Sequence, residues 1–459
     1  MYKDLLAILD DPERVSVNET VLEHHSGGMS YHERKKPDIV VFPKTEQEVV
    51  DIIKYAAKNR IPVIPYGAGS SVEGHVIPMY GGISMDFTLM NEILSVYPDD
   101  FVVKVQPGVT RMQLNKYLKK YGLFFPIDPG ADATIGGMAA TNASGTNAVK
   151  YGTMKHNVLG LHVVTADGSL ISTGGETIKS SAGYNLTELM IGSEGTLGVF
   201  TELTLKLAGI PEATVVAKAI FETVEKAGKA AELVLQSGVG IGKMELVDDA
   251  TIQAVNEFKG TTFEEAPTLF LEYSGTTEAV NQGISLIKEL IEEAGAIRFE
   301  FESDSIKRAQ LWEARHQAAL AIVSRKPNRK LVSTDVCVPI SQLAISIAYT
   351  RKLLEEYHLD GAILGHVGDG NFHAVFGLNT DDEDEMRRFH ELNEKVVTFA
   401  HDHRGTCTGE HGVGIGKMSF LKKERRSSLH VMKMIKKSLD PDNILNPGKI
   451  LEMEEVYQS

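Results

Sequence analysis

Cysteine is nearly absent, with Cys337 and Cys407 the only two in 459 residues. Two thiols exclude a disulfide framework for a chain of this size, and a four-thiolate metal site or iron–sulfur cluster held by this chain alone. Long apolar runs are missing too: no stretch of about 18 apolar residues occurs, so no membrane-spanning helix is predicted. The start, MYKDLLAILDDPERVSVNET, is acidic and shows no cationic stretch leading into an apolar core, so no export signal is read there. These absences predict a cytoplasmic protein, with peripheral membrane contact left open. Positive charge is in deficit, 47 Lys and Arg against 62 Asp and Glu, for a net charge of −15. That balance disfavours nucleic acid as a partner, because bulk attraction to phosphate is lacking.

What is present is an ordinary globular composition, 42% hydrophobic and 24% charged. The length implies two or three domains with room to enclose a cofactor. In a first stretch, residues 37–208, strand-like residues 39–42 lead to Thr45-Glu46-Gln47-Glu48, a capping-box pattern that opens a helix. Val49, Val50, Ile52, Ile53, Ala56 and Ala57 then recur at helical spacing. A strand at 61–64 runs into a glycine loop, and two β runs around Asp167-Gly168 read as a hairpin. A second stretch, 212–410, alternates strands such as 215–221 and 269–273 with amphipathic helices such as 278–293, a separate α+β layer. After about residue 417 a basic helix is stopped by Pro441 and Pro447.

Backbone N–H groups in glycine-rich loops can converge on a pyrophosphate. The loop Pro65-Tyr66-Gly67-Ala68-Gly69-Ser70-Ser71 suits that need, as do the small-residue run at 134–152 and Gly192-Ser193-Glu194-Gly195-Thr196-Leu197-Gly198. The first is no Rossmann fingerprint, since Val72 stands where the last glycine is required. Gly412-Val413-Gly414-Ile415-Gly416-Lys417 likewise misses the spacing of a nucleotide-phosphate loop. Loop chemistry alone does not separate FAD from another nucleotide.

His366 and His373 are seven residues apart, and on one uninterrupted strand they would face opposite sides. The intervening Gly368-Asp369-Gly370 removes that objection, because a turn there sets the two imidazoles beside each other on neighbouring strands. Gly409-Glu410-His411-Gly412 offers a carboxylate and a further imidazole in a glycine-flanked loop. Two His and one Glu make a divalent-metal donor set with open positions, which also suits a metal-dependent hydrolase.

Taken in order, residues 65–71, 129–137, 140–152 and 191–199 resemble the vanillyl-alcohol-oxidase-type FAD-binding family. The resemblance implies an α+β protein: a two-subdomain FAD-binding domain over 1–209 (core 37–208), an α+β cap over 210–416, and a C-terminal segment, 417–459, packing back on the FAD domain. It implies FAD held non-covalently. Gly67, Gly69, Ser70 and Ser71 would meet the pyrophosphate, and Asp132, Thr134, Gly137, Ser144, Gly145 and Val199 would line the flavin and adenosine. Pro65, Tyr66, Ala68, Gly74, Pro129, Ala133, Gly136, Tyr151, Gly152, Glu194, Gly195 and Asn446 complete the expected cofactor-binding set. His75 stands where some relatives attach flavin covalently, and is read here as a polar loop residue.

The segments at 311–316, 333–339, 366–373, 409–412 and 446–449 resemble the metal-containing D-2-hydroxyacid dehydrogenase branch of that family. Residues 333–339 are most similar to branch members that oxidise D-lactate and pass electrons to cytochrome. Members acting on D-2-hydroxyglutarate tend to carry a lysine near Ser333. The resemblance implies oxidation of D-lactate to pyruvate, with glycolate oxidase large subunits and D-2-hydroxyglutarate dehydrogenases as alternatives. It also implies zinc or manganese on His366, His373 and Glu410, Arg315 on the substrate carboxylate, and His411 as general base. The electron acceptor would be a separate cytochrome, quinone or electron-transfer protein, and a homodimer or partner subunits stay open. Trp312, the one tryptophan, is expected to pack rather than stack on a ligand.

Overall fold

The computed structural model describes residues 1–453, apart from the side chains of residues 313 and 314. The chain divides into two compact units, one of residues 1–144, 151–210 and 410 onward, the other of 145–150 and 211–409.

The first unit opens with β1 (Val15–Ser16), β2 (Ile39–Val41), α1 (Glu46–Asn59), β3 (Val63–Tyr66) and β4 (Ile83–Asp86). Thr45 and Glu48 close the capping box that starts α1, as their spacing predicts. Val49, Val50, Ile52, Ile53 and Ala56 then bury one face of α1 against this four-stranded sheet, ordered β1-β2-β4-β3. The sequence pattern stops β3 at Ile64 and places Pro65 and Tyr66 in the loop, but β3 runs through both of them. Proline is tolerated there because β3 lies at the end of the sheet, where a missing N–H leaves no ladder partner unpaired.

A second, antiparallel sheet follows, ordered β5-β6-β9-β7-β8, with β5 (Ile93–Tyr97), β6 (Val102–Val105), β7 (Val158–Val164), β8 (Leu170–Gly174) and β9 (Val199–Lys206). β7 and β8 form the hairpin expected around Asp167-Gly168. The C-terminal segment returns to this unit. Lys436, buried on α-helix Leu429–Leu439, donates to Asp440 Oδ2 at 2.5 Å, to Thr196 O at 2.8 Å and to Leu445 O at 2.9 Å. Asp440 in turn accepts from the Ile444 and Leu445 N–H groups. Val63 and Asn446 then exchange backbone bonds with the segment, Val63 N donating to Ile444 O and Asn446 N to Val63 O, each at 2.8 Å.

The second unit is an eight-stranded sheet with helices on it. Its strands are β10 (Ala213–Ile220), β11 (Ile241–Val247), β12 (Thr268–Gly275), β13 (Arg298–Glu302), β14 (Lys330–Ser333), β15 (Gly361–Gly365) and β16 (Asn371–Leu378), in the order β13-β10-β12-β11-β15-β16-β14. The short strand Val336–Cys337 also pairs with β16. One core gathers Val216, Val247, Phe270, Leu364 and Val375 of the sheet with Ile252, Trp312, Ala318 and Ile322 of helices. Trp312 therefore packs, and its Nε1 donates to Glu272 Oε2 at 2.9 Å. Among the described residues no helix is long and apolar enough to cross a membrane.

Candidate active site

In the first unit the predicted cofactor residues gather from four places in the sequence. Thr134 caps helix α2 (Ile135–Ala140), its hydroxyl accepting from Gly137 N. A Cβ at Gly67 would collide with that same hydroxyl, so the loop after β3 and the start of α2 touch through a glycine. Gly192 N and Glu194 N donate to Ala139 O and Ala140 O at 3.0 and 2.8 Å, seating the third loop on the end of α2. Asn446 Nδ2 donates to Glu194 O at 2.7 Å and to His75 O at 3.0 Å.

Glu194 accepts Val413 N and Gly414 N at 2.7 and 2.8 Å, holding the loop that follows His411. Pro65 faces Gly195, whose added Cβ would lie 3.1 Å from the proline ring. Gly74 faces Ile415 in the same way, and Gly136 faces Pro107. Val199 begins β9, and Ser144 Oγ donates to Glu410 Oε2 at 3.0 Å.

Other expected cofactor residues have structural partners. Asp132 is exposed and accepts from Met112 N at 2.9 Å, while Ala133 O accepts from Arg111 N. The Tyr66 ring lies 4.4 Å from His25, and Tyr151 meets Phe124 edge-on. Gly152 takes a positive φ of 75° against His156. Pro129 and Ser70 are half-buried and Ala68 is exposed. Gly145 belongs with residues 145–150 of the second unit, where Val149 lies against Gly368.

These residues fit FAD on their own chemistry. Ser71 Oγ and Ser193 Oγ are buried without a hydrogen-bond partner among the described residues, in two of the loops expected to meet the cofactor. A buried hydroxyl is seldom left in that state. Glycine at 67 keeps the loop surface next to Thr134 bare of side chain. His75 is buried, its Nε2 3.3 Å from Glu194 Oε1 but not aligned as a hydrogen bond.

His411 lies in the same unit, its Nδ1 3.9 Å from Glu73 Oε1. Glu73 is buried beside Lys417, at 3.5 Å, and His32, at 3.9 Å. Burial pushes the Glu73 carboxyl up, but Lys417, His32 and His411 outweigh it and hold the group below its ordinary value.

In the second unit the Gly368-Asp369-Gly370 turn does what its sequence suggests. Leu364 pairs with His373 across β15 and β16, Gly370 takes a φ of 87°, and the imidazoles of His366 and His373 stand 5.8 Å apart, edge to face. Cys337 Sγ donates to Asp369 O at 3.3 Å and steadies the turn, and burial pushes this thiol up to about 12, so it stays protonated. His373 Nδ1 is 3.1 Å from Thr334 O. His366 Nδ1 is 2.7 Å from Glu245 Oε1. With each Nδ1 directed at an oxygen acceptor, the hydrogen bonds assign the proton to Nδ1 and the lone pair to Nε2, the tautomer a metal ligand requires. That donor set fits a borderline divalent ion such as zinc or manganese.

Arg315 ends α-helix Ser305–His316, is buried, and pairs through Nη2 with Glu245 Oε2 at 2.6 Å. Glu245 itself escaped sequence reasoning. It is fully buried on β11; burial pushes its carboxyl up, yet His366 and Arg315 outweigh that and hold it below its ordinary value. Asp335 was missed too. Buried, it accepts from Asn371 Nδ2 at 2.7 Å, Thr408 Oγ1 at 2.7 Å and Gly409 N at 2.9 Å, fixing the backbone immediately before Glu410. For Asp335, which stands between β14 and the short strand Val336–Cys337, the available signal was its place in the 333–339 segment.

Residues 37–174 match a family described as "FAD binding domain", and residues 210–450 match "FAD linked oxidases, C-terminal domain". A Danio rerio protein named "Probable D-lactate dehydrogenase, mitochondrial" is 45% identical over 96% of this chain and 90% of its own length. "Glycolate oxidase subunit GlcD" of Bacillus subtilis is 32% identical over 90% of this chain and 89% of its own. Among solved structures, alkyldihydroxyacetonephosphate synthase superposes with a TM-score of 0.77 at 19% identity, covering 97% of this chain and 86% of that one, a likeness of fold.

Proposed function

Because this chain belongs to the FAD-linked oxidases, we propose that it oxidises D-lactate to pyruvate and passes the electrons to a separate acceptor, a cytochrome, a quinone or an electron-transfer protein. The observation that carries the reading is the pairing of His366 and Arg315 with buried Glu245, with the His373 ring beside that of His366. Two imidazoles and a guanidinium at one end of a sheet suit a molecule with a carboxylate beside a hydroxyl. A metal-dependent hydrolase would use the imidazoles but leave the FAD-binding match and the glycine loops without a purpose.

Arg315 would bind the substrate carboxylate through charge-assisted hydrogen bonds. His411 would take the hydroxyl proton on its imidazole. FAD, held non-covalently by the first unit's loops, supplies the hydride acceptor. A zinc or manganese ion on His366, His373 and Glu410 would supply Lewis acidity toward the substrate hydroxyl. Ser333, at the end of β14, brings no cation for a second carboxylate, whose burial without one is costly. That favours D-lactate over D-2-hydroxyglutarate. Two cysteines outside any disulfide fit a reducing compartment, and the proposal keeps the protein cytoplasmic; the Danio relative's name places that protein in mitochondria.

The test is the anaerobic visible spectrum of metal-replete protein before and after D-lactate, with L-lactate, glycolate and D-2-hydroxyglutarate in separate samples. Bleaching of the flavin band by D-lactate far faster than by the others is expected. Faster bleaching by another acid would replace the substrate, and bleaching by none would end the hydroxy-acid reading.

Arg315→Lys keeps the charge but loses the planar fork. A kcat/KM for D-lactate lower by about 10-fold or more is expected, the worth of a hydrogen bond to a charged group. Unchanged steady-state kinetics would remove Arg315 from the site.

A further inference from the structure

We propose that Glu245 is a positioning residue that presents His366 and Arg315 together for metal and substrate, a role that rests on the functional reading above. β11 pairs antiparallel with β15, Leu246 opposite Gly365 and Val247 opposite Leu364. Continuing that register by one residue sets Glu245 across from His366. The side chain is wholly inaccessible, and its two oxygens are divided between two basic partners from different elements. Oε1 is 2.7 Å from His366 Nδ1 at the β15–β16 turn, and Oε2 is 2.6 Å from Arg315 Nη2 at the end of a helix.

A carboxylate accepts at both oxygens and donates at neither, so one side chain holds the His366 Nδ1–H by a hydrogen bond and the Arg315 guanidinium by charge, Oε2 lying close to Nη2 but not aligned as a hydrogen bond. Toward His366 this keeps the hydrogen on Nδ1 and the lone pair on Nε2, and it raises the basicity of the imidazole. Toward Arg315 it anchors the guanidinium by charge. Arg315 Nε remains buried without a hydrogen-bond partner among the described residues. An orphaned donor on a charged side chain this deeply buried points to an acceptor that arrives with the ligand. The bridge thus couples the ligand imidazole and the carboxylate-binding cation through one side chain.

Glutamine at 245 separates this role from plain packing. It has nearly the same shape, but its amide has one acceptor and one donor end. If the amide oxygen faces Arg315, the NH2 faces His366 and favours the tautomer with hydrogen on Nε2, which cannot bind a metal. FAD-loaded, zinc-loaded enzyme would be titrated with a graded chelator, with His366→Ala as reference. Glu245→Gln is expected to release zinc at a free-metal level about 10 to 100 times higher than wild type, with flavin absorbance retained. Its KM for D-lactate should rise as well, since Arg315 is no longer fixed. Glu245→Asp keeps the charge but is too short to reach both partners, so it should also release zinc more easily. It provides the readout if the glutamine variant does not fold.

If His366→Ala loses zinc while Glu245→Gln and Glu245→Asp hold it as wild type does, the positioning role is overturned and the metal reading stands. If wild type holds no zinc, or His366→Ala holds it unchanged, the metal reading falls and the role of Glu245 falls with it.

Discussion

Replacing His411 by alanine is expected to leave FAD bound and to slow anaerobic flavin reduction by D-lactate by about 10²-fold or more, the usual worth of a positioned general base. The backbone around His411 is tightly set. Gly412 takes a φ of 80°, and a Cβ there would lie 2.6 Å from His75 Nε2. The next two residues are fixed through their N–H groups to Glu194. The imidazole therefore projects from a loop that does not depend on its side chain, so alanine should remove the base without unmaking the cofactor loops. Glu73, held ionised by its neighbours, favours the imidazolium that forms when the substrate proton arrives. Stopped-flow measurement of flavin bleaching under anaerobic conditions checks this. Reduction near the wild-type rate in a variant with full flavin content would remove His411 as the base.

Where the determining signal is local, the sequence discloses the structure. The capping box of Thr45 and Glu48, the hairpin at Asp167-Gly168 and the approach of His366 to His373 all depend on residues within a few positions of one another. The glycine turn between the histidines is informative because a seven-residue separation and period-2 geometry together forbid the alternative. Glu245 is different in kind. In the run Lys243-Met244-Glu245-Leu246-Val247 it alternates like a solvent-facing residue, and its basic partners are remote in sequence, His366 lying 121 positions away and Arg315 nearer but in another element, a helix. Nothing within the strand specifies them. The return of the C-terminal segment also depends on long-range partners, with Lys436 reaching Thr196 O across 240 positions. Residues 145–150 are a third case: their small side chains gave no apolar pattern by which to tell which unit they would join.

Lys449 makes the stability of the first unit depend on alkaline pH, and the expected gain between pH 7 and about pH 9.5 is roughly 3 kcal/mol from this one group. Its ammonium is buried, donating to Ile77 O at 2.7 Å and lying 3.4 Å from Asn446 Oδ1. Burial lowers its pKa from 10.5 to about 7, with Glu194 opposing the shift and Lys35 adding to it. Below about pH 7 the folded and unfolded chains are both protonated, and the folded state carries the whole cost of the buried charge. Between about 7 and 10.5 the unfolded chain binds more protons than the folded one, so stability rises with pH across that window. Tyr31 sets the upper limit of a clean measurement. Burial pushes its phenol well above the ordinary value, so stability falls again once unfolded tyrosine ionises. Lys449→Met removes the titrating group while leaving Ile77 O and Asn446 Oδ1 short of a donor. The variant's absolute stability is therefore uninformative and its pH slope decides. Urea unfolding at pH 7 and about pH 9.5 should show wild type gaining more than the methionine variant by about that amount, the buried Lys436 contributing alike to both, and parallel slopes would mean that Lys449 is protonated in the fold throughout. In that case the charge of Glu194, which also fixes Asn446 and the loop after His411, favours the ammonium more strongly than burial opposes it, and the C-terminal segment carries a buried cation rather than a neutral amine.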